Sequence, residues 1–318
     1  MEKVIPKSQD IEVKEEFEKR YRELLGGRYD EFIDVSLRFL RKSVRCNTLK
    51  MGIGDLKRRM QAAGWRLEQI PWCKEGFWVE HEEGRKDIGC TLEHVLGYCY
   101  VQEAASMIPP LVLAPTLREV VLDMCAAPGS KSTQIAQYMQ NNGVLVCNDA
   151  TAKRLAPLSI NLQRCGVKNA IVTHMHGNSF KKKGIAFDKI LVDAPCSGTG
   201  TIRKSLKTIR MWNPKMVKRL AATQKKLLES AFLCLKEGGT LVYSTCTLEP
   251  EEDEGVVHEL LSTHEDAEIE KIKLDITRSQ VVREFKGKEF DSRVRHCLRI
   301  WPQDNDTEGF FVAKLRKS

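Results

Sequence analysis

Five short aliphatic runs, REVVLDM, GVLVCND, NAIVTH, FDKILVD and GTLVYST, recur through the second half of the chain. Helical segments separate them: KSTQIAQYMQ, AKRLAPLSINLQRCG and MVKRLAATQKKLLESAFLCLKEG. Strands that are apolar on both faces and alternate with helices predict a parallel sheet with helices on each side. The fold class is therefore α/β, a doubly wound Rossmann-like sheet from about residue 93 to 318. At its end, VRHCLRIWP and GFFVAKLR flank the turn-rich QDNDTE and read as an antiparallel hairpin added to the sheet.

The first part reads differently. Val13, Phe17, Tyr21 and Leu24 form a helical stripe stopped by Gly26 and Gly27, and Phe32, Val35, Phe39 and Leu40 form a second. SVRCNTLK, WRLEQI and FWVEH read as strands, and GDLKRRMQAAG as a helix closed by Gly64. This is a small α+β domain over residues 1–92.

In a doubly wound sheet, ligands bind beyond the carboxyl ends of the strands where the strand order reverses. The first run ends at Asp123 and gives way to CAAPGSKS, whose small residues Ala126, Ala127 and Gly129 let a ligand approach the backbone. Cys125 and Ser130 stand where a Walker loop needs glycines, and no GxGxxG is present. Asp149 ends the second run, where an acid either accepts from ribose hydroxyls or caps the next helix. With the small-residue loop and terminal hairpin, the ribose role is preferred, and the expected cofactor is S-adenosylmethionine rather than NAD.

The fourth run delivers DAPC and the fifth YSTC. Asp193, Cys196 and Cys246 are thus expected past the ends of adjacent strands, facing one pocket. A thiolate adding to carbon 6 of cytosine makes carbon 5 nucleophilic, an acid stabilises the adduct at ring nitrogen 3, and a second thiol can assist elimination. Spacing does not say which thiol attacks.

Eleven cysteines, with no CxxC pair and no cluster at zinc-ligand spacing, read as mostly buried free thiols, and no metal is expected. The charged opening MEKVIPKSQDIEVKEEFEKR is no signal peptide and no run reaches membrane length, so a cytoplasmic protein without membrane contact, and a monomer, is expected. The net charge of +8 points to a polyanion only where it is clustered. No acid occurs from Ala194 to Leu228, whereas Arg203, Lys204, Lys207, Arg210, Lys215, Lys218 and Arg219 do. A second basic set, Arg41, Lys42, Arg45, Lys50, Lys57, Arg58 and Arg59, contains one acid, Asp55. Phosphate contacts from Arg203, Lys204, Lys207 and the arginines near Arg45 are expected.

LDMCAAPGSKS, LVDAPCSGTGTIRK, LVYSTCTLEPEEDE, GYCYVQEAAS, RCNTLK and TEGFFVAKL together resemble the Sun-type (NOL/NOP/Sun) RNA cytosine-5 methyltransferases, most of all archaeal tRNA members. The resemblance implies transfer of a methyl group from S-adenosylmethionine to cytosine carbon 5, with tRNA as the substrate and rRNA as the alternative. It implies Cys246 as nucleophile, Cys196 as the thiol that helps release product, Asp193 at the cytosine edge and Lys131 in the active site. Cys125, Ala126, Ala127, Pro128, Gly129, Ser130, Lys131, Asp149, Arg154 and Asp193 match cofactor contacts. His176 stands where many members place an adenine-side aspartate, and either it or Asn178 is a candidate there. Asn47 of RCNTLK joins Arg45 as a candidate RNA contact. The rivals are a DNA cytosine methyltransferase, which leaves TC unexplained, and a non-catalytic RNA-binding assembly factor, against which both cysteines speak.

Overall fold

A computed structural model describes Val4, Ile5 and residues 12–318, so the reading of the charged opening segment falls partly outside the described residues. Helices α1 (Glu15–Leu25) and α2 (Tyr29–Ser36) come first. Gly26, at φ 54°, ends α1 in a conformation that costs glycine little. The second stripe does not run on as helix: Phe39 lies beyond α2 and is exposed.

A four-stranded antiparallel sheet follows, built from β1 (Ser43–Cys46), β2 (Trp65–Gln69), β3 (Gly76–His81) and β4 (Cys99–Val101) in the order β2-β3-β1-β4. The sheet thus takes in residues past 92. Helix α3 (Ile53–Ala62) lays Leu56 and Met60 onto Val44, Cys46, Phe77 and Cys99. Short α4 (Leu92–Val95), begun where Thr91 accepts from the His94 amide, leads into β4.

The large sheet contains β5 (Val120–Asp123), β6 (Val144–Asn148), β7 (Ala170–Thr173), β8 (Phe187–Asp193), β9 (Leu235–Thr245) and β10 (Ala267–Glu270). A small hairpin, β11 (Glu284–Phe285) with β12 (Lys288–Glu289), precedes β13 (Leu298–Ile300) and β14 (Phe310–Lys317). The order is β10-β14-β9-β8-β5-β6-β7, with β5 to β9 parallel and β14 antiparallel to both neighbours. The expected terminal hairpin exists as β13 and β14, and β14 joins the sheet between β9 and β10. Helices α5 (Ile108–Leu113), α6 (Ser130–Tyr138), α7 (Ala152–Arg164), α8 (Lys207–Met211), α9 (Pro214–Leu233), α10 (Glu254–Thr263) and α11 (Pro302–Asn305) complete the chain. Asn213 caps α9 by accepting from the Met216 amide at 2.9 Å, with Pro214 pre-set at the first helical position.

Each face of the sheet is covered by its own core. Ile108, Leu113, Ile135, Leu158 and Leu162 lie against Val121, Leu145 and Leu191, while Leu228, Phe232 and Val257 lie against Leu122, Ile190 and Tyr243. A third cluster matters most for the site. Phe17, Tyr21, Tyr29 and Phe32 of the first two helices bury against Ile202, Trp212, Leu248 and Trp301 of the large domain.

Candidate active site

Strand order reverses between β5 and β8, because the chain proceeds outward from β5 through β6 and β7 and then restarts at β8 on the other side. Asp193, the last residue of β8, is in register with Ser244 of β9. Adjacent strands lie about 4.8 Å apart, so the loops leaving them arrive side by side. The Sγ atoms of Cys196 and Cys246 are 3.4 Å apart.

Several bonds stitch these loops together. Ser197 Oγ and Thr199 Oγ1 lie 2.7 and 3.0 Å from Thr247 Oγ1, and the Gly200 amide donates to the Cys246 carbonyl at 3.0 Å. Gly200 tolerates no side chain, since a Cβ there would stand 2.2 Å from the Gly309 carbonyl oxygen.

A second set of bonds fixes the segment after Cys246. Tyr21 Oη and Trp212 Nε1 donate to Glu249 Oε1 at 2.8 and 2.7 Å, and Arg20 pairs with Glu249 at 2.5 Å. Farther along, fully buried Arg299 pairs with Asp253 at 2.9 Å and Glu254 at 2.6 Å, and donates to the Leu248 carbonyl at 3.2 Å. The acidic run Glu249 to Glu254 is therefore scaffold for the thiol loop.

Beside the thiols, Lys131 Nζ donates to Asp193 Oδ2 at 2.8 Å and Ser106 Oγ at 3.0 Å, and Ser244 Oγ donates to Asp193 Oδ1 at 2.8 Å. Burial pulls the lysine pKa down, but Asp193 more than offsets it, so the net shift is upward and Lys131 is an ammonium. The hydrogen bond with Cys246, and then burial, push the Cys196 thiol well above its ordinary value. The pocket thus gathers one cation, one carboxylate and two sulfurs.

On the other side of β5, Gly129 adopts φ 104°, allowing CAAPGSK to turn tightly into α6. Asp149 Oδ1 accepts from the Thr151 amide at 2.9 Å, and Oδ2 accepts from the Ala127 amide at 3.3 Å and meets Arg154 Nη1 at 3.2 Å. Arg154 also donates to the Ala127 carbonyl. Three of the roughly four acceptor positions of a carboxylate are thus filled, leaving capacity for a hydroxyl. Its side chain does not make the helix cap of α7, although its bond to Thr151 steadies the turn into it. Beneath the loop, burial pushes Asp123 up to about 7; Ser132 Oγ donates to its Oδ2 at 2.7 Å, and Oδ1 has no partner among the described residues. His176 and Asn178 are exposed on the segment after β7.

The expected RNA contacts divide. Arg45 is fully buried and donates to Gln102 Oε1 at 2.8 Å, Thr133 Oγ1 at 2.9 Å and Gln137 Oε1. Asn47 is buried and donates to the Gly97 and Cys165 carbonyls, each at 2.8 Å. Arg203 is buried, donates to the Phe39 carbonyl at 2.8 Å and pairs with Asp306 at 2.6 Å. None of the three reaches a phosphate; the expectation that they do is corrected by their burial. The rest of the second basic set is largely engaged by partners within the chain: Arg41 pairs with Glu68, Arg58 with Asp55 and Arg59 with Glu93, while Lys50 donates to two carbonyls. By contrast Lys204, Lys207, Arg210, Lys215, Lys218 and Arg219 are exposed and form no ion pair among the described residues.

Sequence reasoning did not single out Ser106 or Ser244, although both lie inside motifs it quoted, nor the buried anchors Arg20 and Arg299, and it read Tyr21 only as part of an apolar stripe. A polar residue inside an otherwise recognised motif was the only available signal for the serines.

The large domain matches the family model of the 16S rRNA methyltransferase RsmB/F over residues 110–316. The chain belongs to this family. Residues 13–104 match the model for the N-terminal domain of the 16S rRNA methyltransferase RsmF. Proteins called ribosomal RNA small subunit methyltransferase F from Shewanella oneidensis and Vibrio vulnificus are 44% and 45% identical over 292 and 291 residues, which is 91% of this chain and 60% of each relative. The chain therefore spans about three fifths of the length of these relatives. A methyltransferase homologue from Pyrococcus horikoshii has the same fold over 98% of both chains, with TM-score 0.87 and 37% identity. The fold of NSun6 from the same organism, solved with SFG, matches with TM-score 0.84 over 96% of this chain at 24% identity. Membership of the RsmB/F family, with bacterial small-subunit rRNA methyltransferases as relatives, overturns the expectation of an archaeal tRNA member. The Rossmann-like methyltransferase domain with a distinct α+β domain before it stands, as does its cofactor class, S-adenosylmethionine. No helix among the described residues is long and apolar enough to cross a membrane.

Proposed function

We propose that this chain methylates carbon 5 of a cytosine in the RNA of the small ribosomal subunit through a covalent cysteine adduct. The observation that carries the reading is the thiol pair at 3.4 Å beside the Lys131–Asp193 ion pair. The choice of RNA is supported by the names of the family and of the curated relatives.

S-adenosylmethionine supplies the methyl group. The residues that would hold it are the backbone of Cys125 to Lys131, Asp149 and Arg154, with His176 or Asn178 toward the adenine. Their fit is supported by the acceptor capacity left on Asp149 and by a loop of small residues turning at Gly129.

Cys246 adds to carbon 6 of the flipped cytosine, turning carbon 5 into an enamine-like nucleophile. The Lys131 ammonium donates to the carbonyl oxygen of the ring as charge develops there, and Asp193 accepts from the exocyclic amine. When carbon 5 carries both methyl group and hydrogen, its proton must leave. Cys196, held as a thiol, receives that proton as it passes its own to the departing Cys246 sulfur; the ring double bond re-forms and the carbon–sulfur bond breaks. The exposed lysines from Lys204 onward offer phosphate contacts against the few kcal/mol that unstacking a base costs.

The test is bisulfite sequencing of small-subunit RNA incubated with the protein and S-adenosylmethionine. One protected cytosine, absent with Cys246→Ala, is expected. Full deamination of every cytosine would overturn the reading.

A further inference from the structure

We propose that Cys196 and Cys246 also form an oxidation site, which a hydroperoxide converts into an intramolecular disulfide and a dithiol reductant reopens. This goes beyond methyl transfer and does not depend on it, because it rests on the placement of two sulfurs.

The sulfurs are 3.4 Å apart, and a disulfide bond is about 2.05 Å long, so closure requires a movement of little more than an ångström. The surrounding loops already hold the two backbones close. Ala194 donates to the Ser244 carbonyl before the cysteines at 2.9 Å, and Gly200 donates to the Cys246 carbonyl after them at 3.0 Å. The side-chain bridge between Ser197 and Thr247 fixes the residues immediately following.

Access and chemistry single out the same pair. Cys196 and Cys246 are both partly exposed, whereas Cys46, Cys73, Cys99, Cys147, Cys165, Cys234 and Cys297 are buried. Cys125 is also partly exposed, but no second thiol is hydrogen-bonded to it among the described residues. Cys90 is exposed, with no second thiol hydrogen-bonded to it among the described residues. The Lys131 ammonium stands close enough to Cys246 for their charges to interact.

The reaction balances with one peroxide. The Cys246 thiolate attacks the oxygen–oxygen bond, forming a sulfenic acid and releasing hydroxide. Cys196 then attacks the oxidised sulfur, the sulfur–sulfur bond forms, and the hydroxyl leaves as water with the proton of Cys196. Two thiols lose two electrons and two protons; the peroxide becomes two waters. The disulfide removes Cys246 from service reversibly and spares it the further, irreversible step to sulfinic acid.

The experiment uses the full chain carrying Cys90→Ser, reduced and desalted, then treated with hydrogen peroxide in the absence of RNA and cofactor. Expected are the loss of two hydrogens by intact mass, a crosslinked peptide joining Cys196 to Cys246, and full recovery with dithiothreitol. Cys196→Ser should instead accumulate sulfinic acid on Cys246. Sulfinic acid on Cys246 of the parent protein, formed as fast as in Cys196→Ser, would overturn the proposal, as would oxidation confined to Cys125. The readout is mass alone, so a failure of the methyl-transfer reading leaves this result untouched, and the converse holds.

Discussion

Arg45 looked like a phosphate contact and is instead a buried post between the two domains, and Arg45→Met tests that placement. Its guanidinium donates to Gln102 Oε1, Thr133 Oγ1 and Gln137 Oε1 from full burial. Methionine keeps much of the volume and removes the donors. Thr133 can still donate to the Ser130 carbonyl, but the acceptor oxygens of Gln102 and Gln137 are stranded. A buried acceptor left unsatisfied costs about 1–3 kcal/mol, while freedom from burying a charge returns part of that. A net loss of about 2–4 kcal/mol follows, a drop in Tm on the order of 3–6 °C. RNA affinity of the folded fraction should keep its salt dependence. Lys207→Ala, at an exposed lysine, should do the reverse: stability within about 0.5 kcal/mol and a slope of log K against log salt reduced by about 0.7–0.9. Urea unfolding and a salt titration of RNA binding on both variants decide it. If Arg45→Met flattens the salt slope and leaves the urea midpoint in place, the burial argument is wrong.

Cys246→Ala should abolish both methylation and any covalent RNA species, whereas Cys196→Ala should accumulate an adduct that survives denaturing electrophoresis in the presence of S-adenosylmethionine; the opposite pattern would exchange their roles. Asp149→Asn removes charge from a carboxylate with acceptor capacity left, and a hydrogen bond to a charged group is worth about 1.5–3 kcal/mol. Calorimetry should therefore show S-adenosylmethionine binding weakened by roughly 10–100-fold, and unchanged affinity would return Asp149 to a purely structural role. Asp123, pushed up to about 7 from an unfolded value near 4, holds its proton in the folded state over that interval while the unfolded chain has lost it. Its contribution is fully present below about pH 4 and is lost as pH rises through about 7. Asp123→Asn should accordingly flatten the fall in stability between those values, measured as urea midpoints at pH 5 and 7.5, and an unchanged slope would show that Asp123 does not titrate there.

The parallel sheet and the meeting of Cys196, Cys246 and Asp193 were readable because each motif sits at the end of an apolar run, and strand ends share one rim; Lys131 was placed beside them only by the family resemblance. Burial of charge was not readable. Arg45 and Arg203 are indistinguishable in sequence from Lys204 and Lys207, since what separates them is acceptors contributed by Gln102, Gln137, Phe39 and Asp306 from elsewhere in the chain. Strand β10 went unseen because AEIE is a four-residue edge strand in which only Ala267 is fully buried. The substrate was misassigned for another reason: the motifs report the chemistry done to cytosine, and the choice of RNA lies outside those residues.

Timing of synthesis gives the clamp on the thiol loop a further meaning. Glu249 takes its bond from Tyr21, 228 positions earlier, and Asp253 takes its bond from Arg299, 46 positions later. Contacts of such long separation form late, after the loop-closure entropy has been met. A growing chain that has passed Cys246 but not yet received Arg299 carries both sulfurs without the bonds that Arg299 makes to Leu248, Asp253 and Glu254. The clamp on that loop is thus set only once Arg299 has been made, well after both cysteines.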